Sequence, residues 1–275
     1  MELAKKSMMV MLAAAMMLSP CGVTGCASSQ AGDGTTVSEQ PNIGVYLAGD
    51  STVASYSADR APLAGWGQQL PSFFNSSVQV HNYAASGRSS KSFIDEGRLQ
   101  PILDRIKQGD YLFIQFGHND EKTKDLDVGT DPDTTYPSYL RRYIDGARLK
   151  GAIPVLVTPM QRGSFDAKGR LRQTHGDYPA AMIQLGKEQQ VPVIRLHEKS
   201  RERFERLGEE ATKRLFMMLA PGEYPNYPDG SADLTHFNEY GASEMARLVI
   251  QGIRESGLPL SSRIRDGNAA AGEPG

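Results

Sequence analysis

Between residues 44 and 258, short apolar runs alternate with longer segments of helical period. The predicted strands are Gly44 to Ala48, Val78 to Tyr83, Tyr111 to Phe116, Pro154 to Thr158 and Val191 to Leu196. Short continuous apolar runs are typical of strands that are buried on both faces, as in a parallel sheet covered by helices. The alternation therefore predicts an α/β fold with helices on both faces of a parallel sheet.

The helical segments lie between and after these runs. They are centred on Trp66 to Phe74, Pro101 to Lys107, Tyr139 to Lys150, Tyr178 to Gln189 and Glu198 to Leu219. A final helix has one apolar stripe, formed by Ala242, Met245, Ala246, Val249, Ile250 and Ile253. Asn238 is its predicted N-cap. Since no interior stretch rich in Gly, Pro or Ser divides the chain, we expect one domain over residues 41–258.

Charge and size narrow the classes of function. A chain of 275 residues with 39% hydrophobic composition can bury one large core. Its 30 basic and 32 acidic residues are mixed along the sequence and give a net charge of -2. Because binding to a phosphate backbone requires clustered basic residues, nucleic acid is not an expected partner.

The first residues have the pattern of an export signal. Lys5 and Lys6 precede an apolar run from Met8 to Leu18 that is too short to span a bilayer. The following segment, which ends at Cys26, resembles the lipobox of bacterial lipoproteins. We therefore expect cleavage after residue 25, lipidation of Cys26 and anchoring in the bacterial cell envelope, with membrane contact only through the lipid. An ordinary secretory signal with an incidental cysteine is the alternative.

The segments that flank the domain differ from it in composition. Residues 26–40 are small and polar, as expected of a flexible tether, and residues 259–275 are predicted to form a disordered tail. No cysteine follows Cys26. The domain must therefore be stabilised by its core, without an internal disulfide.

Five polar or small residues lie where an α/β sheet places its ligands, beyond the carboxyl ends of the strands. Ser51, Gly87 and Asn119 follow the first, second and third predicted strands; taken alone, the first two positions favour a plain turn, and the third is equally compatible with one. Asp233 and His236 lie just before the final helix, at a spacing that lets one loop hold a carboxylate against an imidazole. Together they supply a nucleophile, a base, an orienting acid and oxyanion donors.

This joint pattern resembles the four sequence blocks of the SGNH, or GDSL-like, hydrolase family. The blocks are Gly49-Asp50-Ser51, Gly87, Gly117-His118-Asn119-Asp120 and Asp233-Leu234-Thr235-His236. The resemblance implies a flavodoxin-like three-layer α/β/α sandwich with a five-stranded parallel sheet. Further segments look like the rhamnogalacturonan acetylesterase branch, carbohydrate esterase family twelve: Gly49 to Ala54, Gly65 to Gly67 and Gly87 to Phe93. Ser86 is a departure, because many relatives have a second glycine there.

The resemblance also implies an activity. We expect a serine esterase that removes acetyl groups from an acetylated polysaccharide or oligosaccharide, with rhamnogalacturonan as the expected polymer. Ser51 would be the nucleophile, His236 the base and Asp233 its orienting acid. The backbone N–H groups of Ser51 and Gly87 and the side-chain amide of Asn119 would bind the oxyanion. No cofactor or metal is expected, and the protein is expected to be a monomer.

Substrate contacts are predicted from nearness to Ser51 in the sequence. Trp66, with Tyr56, could line the cleft, and Arg88 could meet uronate carboxylates together with Arg60 and Lys91. Burial of the aromatic residues in the core and solvation of the cations are the alternatives.

Other functions remain open at this level. The same fold could act on acetylxylan, a lipid or a thioester, and a non-catalytic glycan-binding lipoprotein is an alternative of another class. A metallophosphatase could also use Asp50, His118, Asn119 and His236, but no further closely spaced Asp/His pair completes a dinuclear site.

Overall fold

The structure is a computed structural model that describes residues 42–265. The predicted signal peptide, the tether and tail residues 266–275 lie outside the described residues. In chain order the strands are β1 (Ile43–Gly49), β2 (Leu63–Ala64), β3 (Val78–Asn82), β4 (Tyr111–Gln115), β5 (Ile153–Val157), β6 (Val193–Ile194), β7 (Phe216–Leu219) and β8 (Ser231–Asn238). The α-helices are α1 (Trp66–Gln69), α2 (Ser90–Asp95), α3 (Gln100–Leu103), α4 (Thr135–Leu149), α5 (Tyr178–Gln189), α6 (Leu196–Lys213) and α7 (Glu239–Glu255).

A five-stranded parallel sheet forms the centre of the domain, with the strand order β3-β1-β4-β5-β6. Its side chains alternate between two cores. Leu47 packs in a core shared with α1, α6 and α7, while Tyr46 packs in one shared with α2 to α5. The predicted three-layer α/β/α sandwich with a five-stranded parallel sheet is therefore confirmed.

A second, antiparallel sheet of three strands, in the order β2-β8-β7, was not predicted. The expected helix from Glu198 to Leu219 ends at Lys213, and Phe216–Leu219 form β7 instead. Periodicity cannot distinguish a short apolar run in a strand from one in a buried helix, which explains the error. The segment from Asp233 to His236 was expected in a loop, but it lies within β8.

The carboxyl-terminal part of the domain extends beyond the predicted boundary at residue 258. A 3-10 helix covers Pro259–Arg263, and Leu260 and Ile264 are buried in the core. Ile264 pairs with Phe74, which joins this end to the segment after α1. The predicted disordered tail therefore began too early, because its apolar side chains are needed to cover the core.

The final helix begins as predicted. The Asn238 side chain accepts a hydrogen bond from the Gly241 N–H at 2.9 Å, so it caps α7. None of the helices between residues 42 and 265 is long and apolar enough to cross a membrane.

Candidate active site

Ser51 lies in a tight turn directly after β1. The buried Asp50 carboxylate accepts hydrogen bonds from the Thr52 N–H at 2.9 Å and the Thr52 hydroxyl at 2.7 Å, which fixes the turn. A side chain at Gly49 would bring its Cβ within 2.6 Å of Val53 and 3.0 Å of the Gln115 carbonyl oxygen. Glycine is therefore required where the chain leaves the sheet, and the turn holds Ser51 at the edge of the sheet.

His236 and Asp233 complete a hydrogen-bonded chain with Ser51. The His236 Nε2 atom lies 2.9 Å from Ser51 Oγ, and its Nδ1 atom lies 2.6 Å from Asp233 Oδ2. The other carboxylate oxygen, Oδ1, accepts the backbone N–H groups of Thr235 at 2.7 Å and His236 at 3.0 Å. With Asp233 on the Nδ1 side, the imidazole presents Nε2 as the acceptor for the serine proton.

A bulge in β8 brings His236 to the serine. Phe237 pairs with Phe216 and Asp233 pairs with Met217, so the residues between Asp233 and Phe237 have no partner on β7. Such bulges bend a strand and redirect its side chains. A regular antiparallel ladder would have kept residues 233 and 236 on opposite faces of the sheet, whereas the bulge places both in one hydrogen-bonded unit.

Residues outside the antiparallel sheet also stabilise the bulge through hydrogen bonds. The Gly163 N–H donates to the Leu234 carbonyl at 2.9 Å, and Arg162 Nε donates to the Thr235 hydroxyl at 3.2 Å. The Arg162 guanidinium forms an ion pair with Glu121, whose other oxygen lies 2.9 Å from His175 Nδ1. These contacts connect the segment carrying the imidazole to the loops that follow β4 and β5.

The pKa of Asp233 is set by two opposing effects. Partial burial disfavours its ionised form, but the hydrogen bonds from His236 and from the backbone N–H groups outweigh burial and lower the pKa to about 2. Asp233 therefore remains a carboxylate at neutral pH. It can stabilise the imidazolium that forms when His236 accepts a proton.

Asn119 is buried within the turn that follows β4. Its Nδ2 donates to the Arg88 carbonyl at 3.1 Å, and its Oδ1 accepts a hydrogen bond from Lys122 Nζ at 2.7 Å. Because an ammonium group can only donate, Lys122 fixes which end of the amide is oxygen. No partner for the second N–H of Nδ2 occurs in the part of the chain that the structure describes, so that hydrogen can serve an oxyanion.

Gly87 follows β3 in a left-handed turn with a φ of 80°. No heavy atom lies within 4 Å of the position that its Cβ would take, so the conformation rather than lack of space favours glycine. The Tyr56 hydroxyl connects this turn to the nucleophile: it donates to the Ser51 carbonyl at 2.7 Å and lies 3.0 Å from Ser86 Oγ. Serine at position 86 thus takes part in joining the two turns.

The five residues predicted to form the catalytic site line one cavity of about 610 Å³. They are Ser51, Gly87, Asn119, Asp233 and His236. They come from separate parts of the sequence and meet at the carboxyl edge of the parallel sheet. This arrangement can place a carbonyl group between a nucleophile with its base and a set of N–H donors.

Buried titratable groups lie beneath the nucleophile. His118 Nδ1 is 3.4 Å from Asp50 Oδ2, and burial, followed by the nearby His175, lowers the pKa of His118 to about 4. Burial raises the pKa of Asp120 to about 7, although Ser90 and Thr130 donate hydrogen bonds to it. Within residues 42–265, no group of three or more His, Cys, Asp or Glu side chains is arranged to hold a metal ion.

Of the two predicted substrate contacts, Trp66 is wrong, and Arg88 does not line the cavity. Trp66 is fully buried, and its Nε1 donates to Gln115 Oε1 at 2.7 Å, so it supports the core instead of lining the cleft. The Arg88 guanidinium bonds Glu96 at 3.0 Å and the Ser86 carbonyl at 2.7 Å, and it does not line the cavity. The partner of Trp66 is distant in sequence, whereas those of Arg88 are Ser86 and Glu96 in the same stretch of chain, so nearness to Ser51 alone does not identify the residues that line the cleft.

The cations that line the cavity are Arg60, Lys122 and Arg162. Of these, the sequence pointed only to Arg60. A second predicted cation, Lys91, forms an ion pair with Asp95 at 3.2 Å. Lys122 could have been found from its position three residues after Asn119 in a turn, whereas nothing local indicates that Arg162 and the aromatic Tyr227 reach the cavity.

Comparison with known proteins places these features in a family. Residues 47–243 match the model of the GDSL-like Lipase/Acylhydrolase family. The chain is 51% identical over 222 residues to the rhamnogalacturonan acetylesterase RhgT of Bacillus subtilis strain 168, covering 81% of this chain and 94% of RhgT. It is 46% identical over 220 residues to YesY of the same strain, covering 80% of this chain and 96% of YesY. A crystal structure of YxiM from Bacillus subtilis matches with a TM-score of 0.68 and 31% identity, covering 79% of this chain and 58% of that one.

Proposed function

The chain belongs to the GDSL-like lipase/acylhydrolase family and to its rhamnogalacturonan acetylesterase branch, and we propose that it removes O-acetyl groups from a rhamnogalacturonan-type polysaccharide. It is a carboxylic ester hydrolase. The observation that carries the proposed chemistry is the chain from Asp233 through His236 to Ser51, with distances of 2.6 and 2.9 Å. The proposed substrate rests on the 51% identity to RhgT.

In the proposed acylation step, Ser51 Oγ attacks the carbonyl carbon of the acetyl ester while its proton passes to His236 Nε2. The charge on the carbonyl oxygen is stabilised by the N–H groups of Ser51, Gly87 and Asn119. Collapse of the tetrahedral intermediate breaks the bond between the acetyl carbon and the sugar oxygen. His236 then gives its proton to that oxygen, so a sugar hydroxyl leaves and the acetyl group remains on Ser51.

Deacylation repeats the chemistry with water. His236 accepts a proton from water as the water oxygen attacks the acetyl carbon, and Asp233 again stabilises the imidazolium. When the second intermediate collapses, the proton returns to Ser51 Oγ and acetate is released. The same three side chains therefore serve both halves of the reaction.

The test is the rate at which defined substrates are hydrolysed, measured as acetate from acetyl esters and as the corresponding carboxylic acid or thiol from the others. Purified protein and its Ser51→Ala variant are compared on acetylated rhamnogalacturonan, acetylxylan, long-chain acyl esters and a thioester. We expect the highest kcat/KM on acetylated rhamnogalacturonan, with no acetate release by the variant. A preference for acetylxylan, long acyl chains or thioesters would contradict the proposed substrate, and tight glycan binding without hydrolysis would support the non-catalytic alternative.

We also propose that the protein is exported, acts as a monomer and is anchored in the bacterial cell envelope by lipid on Cys26. Support comes from the apolar run and the lipobox-like segment of the sequence. Full-length protein expressed with a radiolabelled fatty acid should carry the label and fractionate with membranes, and Cys26→Ser should do neither. An unlabelled wild-type chain in the soluble fraction would contradict the anchor, and light scattering tests the monomer.

A further inference from the structure

The charged side chains of the cleft differ in whether they have a partner of opposite charge. Asp233 pairs with His236, and Arg162 pairs with Glu121. Arg60 and Lys122 also line the cavity, and Lys122 donates to the Asn119 side chain, but neither forms an ion pair with a carboxylate in the part of the chain that the structure describes. The cleft therefore contains two cations whose charge is not balanced by an ion pair.

Neighbouring cations outside the cavity are paired. Arg88 and Arg98 both contact Glu96, and Lys91 contacts Asp95. Asp59 adjoins Arg60 in sequence, and the hydrogen bond from the Ser57 hydroxyl, more than the charge of Arg60, lowers the pKa of its carboxylate, which forms no ion pair with the arginine. Since the whole chain has a net charge of -2, the unpaired cations in the cleft do not reflect a generally basic protein.

Both cations are attached to well-fixed backbone. Lys122 ends the turn that carries Asn119, with its N–H donating to the Asn119 carbonyl at 3.0 Å. The Arg60 carbonyl accepts a hydrogen bond from the Tyr227 hydroxyl at 3.1 Å, and Asn226 Nδ2 donates to the Ala61 carbonyl at 3.1 Å. Lys122 thus lies beside the proposed oxyanion donor, and Arg60 lies on the wall that Tyr227 forms.

We propose that Arg60 and Lys122 are specificity-determining residues that bind uronate carboxylates of the polysaccharide near the acetylated sugar. This inference rests on the proposed function and adds to it a recognition site for negative charge. A guanidinium can bind a carboxylate through two parallel hydrogen bonds, while an ammonium acts as a point charge that also serves the Asn119 amide. A neutral acetylated glycan would leave both cations without a counterion.

The experiment compares one polysaccharide in two charge states. Acetylated rhamnogalacturonan oligosaccharides are used directly and after chemical reduction of their uronate carboxyl groups to alcohols, with acetyl content matched. Steady-state kinetics are measured for wild type, Arg60→Gln, Lys122→Gln and the double variant. The matched control is Lys168→Gln, which changes an exposed cation that does not line the cavity.

For each single variant, we expect kcat/KM on the charged oligosaccharide to fall about tenfold more than kcat/KM on the reduced one, chiefly through KM. The double variant should show the largest difference, and Lys168→Gln should behave as wild type on both. Added salt should raise the wild-type KM only for the charged substrate, because salt screens exposed charges.

Equal losses on the charged and the reduced substrates would overturn the inference. At Lys122 this result would mean that the residue acts only through Asn119. Hydrolysis of 4-nitrophenyl acetate separates this failure from failure of the proposed function. If the wild type hydrolyses that ester but releases no acetate from either oligosaccharide, the proposed substrate is wrong and the inference fails with it.

Discussion

The two sheets contribute different parts of the site, and they differ in burial. The parallel sheet carries the nucleophile and the oxyanion donors, where Ser51 is 8% and Asn119 is 4% exposed. The antiparallel sheet carries the acid and the base, where the side chains of His236 and Asp233 are 32% and 36% exposed. Ser51 and Asn119 thus lie on the buried framework, while the third proposed donor, the Gly87 N–H, belongs to an exposed turn after β3. The group that must exchange protons with substrate and water lies on a half-exposed bulge.

The largest effect is expected on the parallel-sheet side. Ser51→Ala removes the only group proposed to form the acyl intermediate, so kcat should fall on the order of 10⁶-fold. The fall in kcat is measured as the rate of acetate release at saturating substrate. Ser231→Ala is the matched control, because this serine also lines the cavity. A Ser51→Ala variant within tenfold of wild type would contradict the nucleophile assignment.

The next effect tests the antiparallel-sheet side. Asp233→Asn keeps the shape of the side chain, but the amide would donate to Nδ1 and leave Nε2 protonated, so His236 could not accept the serine proton. We expect kcat to fall about 10⁴-fold with the fold retained. Unfolding curves serve as the control for stability. If kcat fell by less than tenfold, proton transfer by His236 would not depend on the Asp233 carboxylate.

Asn119→Ala tests an oxyanion donor on the parallel-sheet side of the site. Removing one oxyanion donor should lower kcat by about 10²- to 10³-fold with a smaller effect on KM, since the charge on the oxygen develops only in the transition state. Steady-state kinetics on a neutral acetyl ester measure the effect. If KM alone changed, Asn119 would be a substrate-binding residue and not an oxyanion donor.

Burial of His118 predicts a pH dependence of folding. Its pKa is lowered to about 4 in the folded protein, so between about pH 6.5 and pH 4 the unfolded chain binds a proton that the folded chain does not. The stability that neutral His118 contributes is therefore present above pH 6.5 and lost as the pH falls through 4. It amounts to at most about 3 kcal/mol.

Urea unfolding at several pH values tests this point. His118→Gln should lose less stability between pH 7 and pH 4 than wild type. Asp120 titrates with the opposite sign in an overlapping range, so the variant is compared with wild type at each pH. If the free energy of unfolding changed equally with pH in the two proteins, the proposed effect of burying neutral His118 would be contradicted.

The smallest effect concerns the contacts that hold the bulge. Thr235→Val removes the hydroxyl that accepts a hydrogen bond from Arg162 at 3.2 Å while keeping the shape of the side chain. The loss of one hydrogen bond of about 1 kcal/mol predicts a fall of about fivefold in kcat. Since Thr235 positions His236, the loss should be equal on charged and neutral substrates. A loss only in KM for the polysaccharide would indicate direct substrate binding.

The same contrast explains which parts of the structure were predictable from sequence. The parallel sheet consists of short apolar runs separated by helices, and Ser51, Gly87 and Asn119 follow those runs directly. The antiparallel sheet gave no comparable signal. Strand β7 continues the helical segment that ends at Lys213, and the bulge ahead of Phe237 interrupts the alternation that would have marked β8.

Side-chain partners distinguish the remaining positions. Trp66 is buried in the core, where Gln115 accepts its N–H group, and the Arg88 guanidinium pairs with Glu96 outside the cavity. Conversely, Arg60 and Lys122 line the cavity without forming an ion pair within the described residues, although each directly follows an acidic residue in the sequence. No local pattern in the sequence reports such an absence, because it depends on every segment that folds around the cleft.

The central claim is that the two sheets converge so that the imidazole of His236 activates the hydroxyl of Ser51. The most direct test is the rate at which a fluorophosphonate labels Ser51, followed by intact mass and peptide mapping, in wild type and in His236→Ala. We predict a single adduct on Ser51 in wild type and labelling at least about 10²-fold slower in the variant. Equal labelling rates, or an adduct on another residue, would contradict the claim.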